Sequence, residues 1–212
     1  MTIGIIGAGK VGIVLAQLAL NAGYEVLISG SGAASKIKLT VSVLAPGAVA
    51  LTNAEVAAQS DVIILAIPLG KYQQLPKNEL DGKLVIDAMN YWWEVDGERP
   101  DLTSATQTSS KVVQEFLSGS HVVKAFSHIG YHNLDNEHRP AGAPDRKAVA
   151  LAGDTPSDLM QVATIIDSFG FDPVVIGGLK DSRALQPGGP IFGEHVNEEK
   201  LKQLLAEFDT IV

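Results

Sequence analysis

The chain has 212 residues, 46% hydrophobic and only 19% charged, with a formal net charge of -8 and no cysteine. That composition describes a compact globular chain and argues against nucleic acid or an anionic membrane as partner. It also rules out disulfides, thiolate metal sites, iron–sulfur clusters and a cysteine nucleophile.

Strands and helices alternate along the chain. Ile3-Gly4-Ile5-Ile6 reads as a buried strand that runs through Gly7-Ala8-Gly9-Lys10-Val11-Gly12 directly into an apolar helix ending near Gly23. Glu25–Ile28 gives a second strand and Ala48–Leu51 a short third. Between them Ile37, Val41 and Leu44 fit one helix face, although Ile37, Leu39, Val41 and Val43 also alternate like a strand. A helix is expected, because parallel strands need a crossover. Thr52 or Asn53 can cap a helix running to Gln59. Asp61–Ile67, closed by Pro68, is an unbroken apolar run suited to a strand buried on both faces. Leu84–Ile86 and Val122–Phe126 continue the series, with a helix capped by Thr108 between them. Ala148–Leu151 and Val174–Ile176 extend the same sheet, and Thr155-Pro156 starts a helix that Gly170 stops.

The expected fold is therefore α/β: a doubly wound parallel sheet of the Rossmann NAD(P)-binding type with a C-terminal strand–helix extension. One domain, 1–212, is expected, with acceptor-site loops and the extension from about residue 127. Two long loops follow the fifth and sixth strands, Tyr91 to Thr106 and Ser127 to Arg146. In the tail, Leu201, Leu204, Leu205 and Phe208 form one stripe, either a packing face or the contact of a homodimer. No segment is long and apolar enough to span a bilayer, and a cytoplasmic protein is expected.

The glycine run carries the first functional reading. In Gly-x-Gly-x-x-Gly, Gly7 makes the tight turn, Gly9 lets the backbone approach a pyrophosphate, and Gly12 lets helix and strand pack closely. The helix N-terminus adds free N–H donors and a positive dipole end. Sites for NAD usually end the second strand with a carboxylate for the ribose 2′-OH. This strand ends Ile28-Ser29-Gly30-Ser31-Gly32. With no carboxylate to repel it a 2′-phosphate can enter, and Ser29, Ser31 and Lys36 offer it hydroxyls and a charge. NADP(H) is the expected cofactor, with an ordinary polar turn at Ser31-Gly32 as the plainer alternative.

Chemistry beyond the cofactor is sparsely marked. His128 and His132 stand four apart, but Gly130 argues against a regular helix there and no His-Glu-x-x-His pattern exists, so no metal is expected. The sixth strand delivers Ser127, His128 and Ile129 to its carboxyl end, where open parallel sheets bind ligands. Ile129 offers an apolar surface there, and Ser127 and His128 offer polar contacts. No Gly-x-Ser-x-Gly turn and no acid–base pair is evident, which suits hydride transfer between two rings.

Several segments together resemble a known family. They are Gly7–Gly12, the Ser29–Ser31 turn, Ala66-Ile67-Pro68, Asp87-Ala88-Met89-Asn90-Tyr91-Trp92, Val123–Ser127, Gln186–Pro190 and Phe192-Gly193. The chain is similar over essentially its whole length to the NADPH-dependent reductases of the 8-hydroxy-5-deazaflavin coenzyme (coenzyme F-420) and relatives of unassigned acceptor. The resemblance implies that Ala8, Gly9, Lys10 and Val11 hold the pyrophosphate and that Ser31 approaches the 2′-phosphate. It implies that Ile67, Pro68, Ala88 and Asn90 flank the nicotinamide half, with a deazaflavin or flavin acceptor over Ser127, His128 and Ile129. The family's common arginine in the phosphate turn is absent here. Around Lys124-Ala125-Phe126 the chain is also similar to metalloreductase cytoplasmic domains, which usually carry Asn where it has Ser127.

The expectation is an NADP(H)-dependent oxidoreductase that transfers hydride between NADPH and a flavin-like or deazaflavin small-molecule acceptor. Two alternatives stand beside it: reduction of a small imine or carbonyl, and a non-enzymatic NADP(H)-binding redox sensor.

Overall fold

The computed structural model describes residues 1–102 and 107–209, the side chains of 208 and 209 excepted. Eight strands form one sheet: β1 (Thr2–Ile6), β2 (Glu25–Ser29), β3 (Val49–Leu51), β4 (Val62–Leu65), β5 (Leu84–Asp87), β6 (His121–Ala125), β7 (Ala148–Gly153) and β8 (Asp172–Gly177). Their order is β3-β2-β1-β4-β5-β6-β7-β8. The helices are α1 (Lys10–Asn21), α2 (Lys38–Leu44), α3 (Asn53–Gln59), α4 (Trp93–Asp96), α5 (Ser109–Phe116), α6 (Tyr131–Asn136), α7 (Pro156–Ser168) and α8 (Glu198–Asp209).

Residue alternation in the central strands divides the core into two layers. In β4, Val62 and Ile64 face the layer that holds α1 and α7, whereas Ile63 and Leu65 face the layer of α3 and α5. A third apolar cluster joins β7 and β8 to Leu185, Ile191 and Leu201. The tail stripe is thus a packing face: Leu201 is buried, and Leu204 and Leu205 lie against that cluster. The side chain of Phe208 and the last residues of the Tyr91–Thr106 loop, 103–106, lie outside the described residues.

The ambiguous segment around Val41 is helix α2, entered through a 3-10 turn at Ala34–Lys36. Thr52 caps α3 in a full capping box with Glu55. One expectation needs correction. β7 does extend the sheet, but antiparallel to β6, with Val123 opposite Gly153 and Ala125 opposite Leu151. The connection between them contains only the six-residue α6, which packs on α1 and does not cross back beside β6. β8 then returns parallel to β7 through α7.

The antiparallel strand gives His128 an unforeseen role. Phe126 turns out of the strand with a φ of 63°. Past that point β6 no longer pairs with β7, and the amide of Ala150 donates to His128 Nε2 at 3.0 Å. The imidazole thus takes the place of a strand carbonyl. Its residue is 1% exposed, and its backbone carbonyl accepts from Gly193 N–H at 2.8 Å. An acceptor at Nε2 leaves the proton on Nδ1, so the ring is neutral. Burial pushes its pKa from 6.5 down to about 4.

Acid sensitivity follows from this burial. In the unfolded chain the imidazole takes up a proton below pH 6.5, while the folded ring resists until about pH 4. Its contribution is complete above pH 6.5, falls as pH drops through that window and levels off below about 4, a loss of about 3 kcal/mol. Urea unfolding at a series of pH values should show this loss. His128→Gln, which keeps an acceptor for Ala150 but does not titrate, should flatten it.

Candidate functional site

The strand order reverses direction of travel between β1 and β4, and the crevice at the carboxyl ends of these strands is where doubly wound sheets bind ligands. The three motif glycines have distinct local reasons. Gly7 has a φ of 122°, and a Cβ there would fall 2.3 Å from the carbonyl oxygen of Ala66. A Cβ on Gly12 would sit 1.7 Å from the carbonyl oxygen of Gly7, so any side chain would push α1 off the turn. Gly9 differs from both. A Cβ there would meet nothing within 4 Å, and its backbone is extended, with φ -82° and ψ -171°. As N-cap of α1 it makes no side-chain cap, so the N–H groups of that first turn face an open space.

That space is a cavity of about 320 Å³ lined by Gly7, Ala8, Gly9, Gly30, Ser31, Ile67 and Pro68, with Asn53, Lys71 and Gln74 among the rest. The structure brings together the glycine turn, the Ser31 turn and the residues after β4. A dinucleotide fits this lining: an open glycine cradle at a helix N-terminus, hydroxyl and amide groups, and no carboxylate among the described residues that line it. Lys10, Val11, Gly12, Ala88 and Asn90 are not in the lining, and neither are two of the three expected 2′-phosphate contacts. Ser29 is fully buried and its hydroxyl is directed to the carbonyl of Ile5, at 3.5 Å; the β-pleat turns it into the sheet. Lys36 lies over Gly32, where a Cβ would be 3.7 Å from its Nζ. Val11 packs against the α1 layer, and the Lys10 ammonium sits 5.3 Å from the ring centre of Tyr131.

Ala88, Asn90 and Ser127 form a second group at the ends of β5 and β6. Asn90 Nδ2 donates to the backbone carbonyl of Ser127 at 2.7 Å, tying the two strand ends together. The Asn90 Oδ1 and the Ser127 hydroxyl are buried with no hydrogen-bond partner. Ala88 and Ile129 are both less than a tenth exposed. The imidazole of His128 lies in the interior against Ala150, so it cannot touch an acceptor in this arrangement; burial and the Ala150 amide decide its position. Exposed or half-exposed ring surface comes from neighbours instead. Trp92 meets Phe192 edge to face at 5.8 Å, and Tyr131 lies against His132 at 4.0 Å.

Beneath this group lies a pair absent from the sequence-derived site. Lys124 and Asp87 have fully buried side chains, with Nζ 3.4 Å from Oδ2. Asp87 also accepts from the Ser110 hydroxyl at 2.7 Å and from the Met89 amide at 2.9 Å, and Lys124 donates to the Met89 carbonyl. Burial pushes the Lys124 pKa down and the Asp87 carboxylate opposes that. A charge in the otherwise apolar run Val122-Val123-Lys124-Ala125-Phe126 was the available signal, since a buried ammonium requires a buried partner.

Residues 2–91 match the family described as NADP oxidoreductase, coenzyme F420-dependent. The Escherichia coli (strain K12) protein YjhV is 37% identical over 59 residues, 28% of this chain, and the match spans less than half of that relative, 43%. Among solved structures, a hypothetical protein from Sinorhizobium meliloti is similar with a TM-score of 0.81 and 27% identity, over 93% of this chain and 96% of that one. A candidate F420-dependent NADP-reductase from Arthrobacter sp. FB24 has a TM-score of 0.72 and 23% identity, over 85% and 86% of the two chains. The second likeness is one of fold. The glycine turn, the cavity lining and the sequence match all fall within residues 2–91, which are less than half of this chain.

Proposed function

We propose that the protein is an NADP(H)-dependent oxidoreductase that transfers hydride between NADPH and a flavin-like or deazaflavin ring. The observation that carries this reading is the open Gly9 cradle beside a carboxylate-free β2 turn, with the Asn90–Ser127 junction two strands further along. The family match over residues 2–91 supports the NADP part. The acceptor rests on the resemblance and on the rings of Trp92, Phe192 and Tyr131, none of them buried, whose faces suit a planar partner.

In this reading Gly9 and the first-turn amides of α1 hold the pyrophosphate, and Ser31 borders the ribose. Reduced NADP supplies the hydride. The chain supplies position: Asn90 is clamped to Ser127, and the turn carrying it is fixed by Met89, whose amide and carbonyl are held by Asp87 and Lys124. Lys124 and Asp87 have no solvent contact and cannot exchange protons with a substrate. Their work is orientation, which is what ring-to-ring transfer chiefly requires.

Three outcomes check the reading. NADPH should bind at least about tenfold more tightly than NADH, a difference of about 1.4 kcal/mol, and its oxidation should be faster with deazaflavin, FMN or FAD than with ferric chelates. Fluorescence titration and steady-state assays measure both, and binding without turnover on any acceptor would favour a sensor. Gly9→Val should abolish nucleotide binding with the thermal transition intact, since the backbone there suits valine and the new side chain enters only open space. Lys124→Met should lower stability by about 3–5 kcal/mol by leaving Asp87 buried and unpaired, and adding Asp87→Asn should recover part of it in urea unfolding.

A further inference from the structure

The wall of the cavity facing the glycine turn comes from elements outside the dinucleotide motif. Asn53 opens α3, and Lys71 and Gln74 belong to the 3-10 turn Leu69–Gln74 that follows β4. Lys71 is the one cation among the described residues that line the cavity. Its neighbour Gly70 is gripped at both backbone groups. The Gly70 amide donates to Asp96 Oδ1 at 2.9 Å, and its carbonyl accepts from Arg99 Nη1 at 2.6 Å. Asp96 is further held by the Trp92 amide, and the Arg99 guanidinium forks onto Asp101. The backbone next to Lys71 is therefore held in place, and Lys71 itself is among the residues that line the cavity.

We infer that Lys71 is the specificity-determining cation of the nucleotide site, binding the 2′-phosphate that distinguishes NADPH from NADH. The inference rests on the NADP reading above and reassigns the charge within it. The pyrophosphate is served by Gly9 and the α1 amides, which need no side chain. In that reading the extra phosphate goes toward Ser31, where the turn after β2 offers no arginine, Ser29 is buried against the Ile5 carbonyl, and Lys36, with its Nζ beside Gly32, is not among the residues that line the cavity. An ammonium on a flexible stem is a compact point charge well suited to a phosphate dianion. Delivered from the β4 turn, it replaces the missing arginine from the opposite wall.

The test uses the full chain, Lys71→Gln and Lys36→Gln, titrated with NADPH, NADH and adenosine 2′,5′-bisphosphate. Lys71→Gln should weaken NADPH and the bisphosphate by about tenfold and NADH by less than about twofold, whereas Lys36→Gln should weaken NADPH to a smaller degree. Lys71 is exposed, so a circular dichroism spectrum like that of the parent chain is expected. Equal losses for NADPH and NADH would place Lys71 at the pyrophosphate and overturn the inference, as would an unchanged NADPH affinity or a larger loss in Lys36→Gln. A parent chain that binds neither nucleotide would instead overturn the NADP reading itself.

Discussion

The buried contact between Lys124 and Asp87 is the constraint on which the second half of the site depends. Neither side chain reaches solvent, so the pair must be satisfied internally. Asp87 does so by collecting the Ser110 hydroxyl and the Met89 amide, and Lys124 by taking the Met89 carbonyl. The result is that the chain leaving β5 is held at both the amide and the carbonyl of Met89 just before Asn90. A purely apolar pair there would pack as well but would leave the Met89 peptide without partners. We read the charge as a device for direction rather than for stability.

The two halves of the site are made by different means. Around β1 the geometry comes from backbone: Gly7 and Gly12 are needed because carbonyl oxygens lie where their side chains would be, and Gly9 borders open space. Around β5 and β6 it comes from side chains that are polar, buried and mutually bonded. The segment from Tyr91 to Asp101 links the halves, since it starts at Asn90 and its Asp96 and Arg99 hold Gly70 in the turn after β4. Hydrogen bonds thus connect the turn after β4 to the segment that follows Asn90.

Local signals carried most of the fold. The glycine run, the capping Thr52 and the unbroken apolar β4 each act within a few residues, so they are legible without tertiary knowledge. The direction of β7 is not of that kind. Ala148–Leu151 reads the same in either orientation, and only the path of α6 over α1 decides it. The burial of His128 is equally non-local: its partner, Ala150, is 22 residues away on the antiparallel strand β7. Ser29 shows a finer limit. A serine ending a strand looks available, but the pleat decides which way its hydroxyl points.

The margins of the sheet bear on how copies of this protein behave at high concentration. β3, at one margin, is only three residues long. β8, at the other, contains Pro173, which has no N–H to offer an incoming strand. The ladder of β3 is short and that of β8 is interrupted at Pro173, which blunts the usual template for edge-to-edge aggregation. The sheet thus resists edge-to-edge growth without being closed into a barrel.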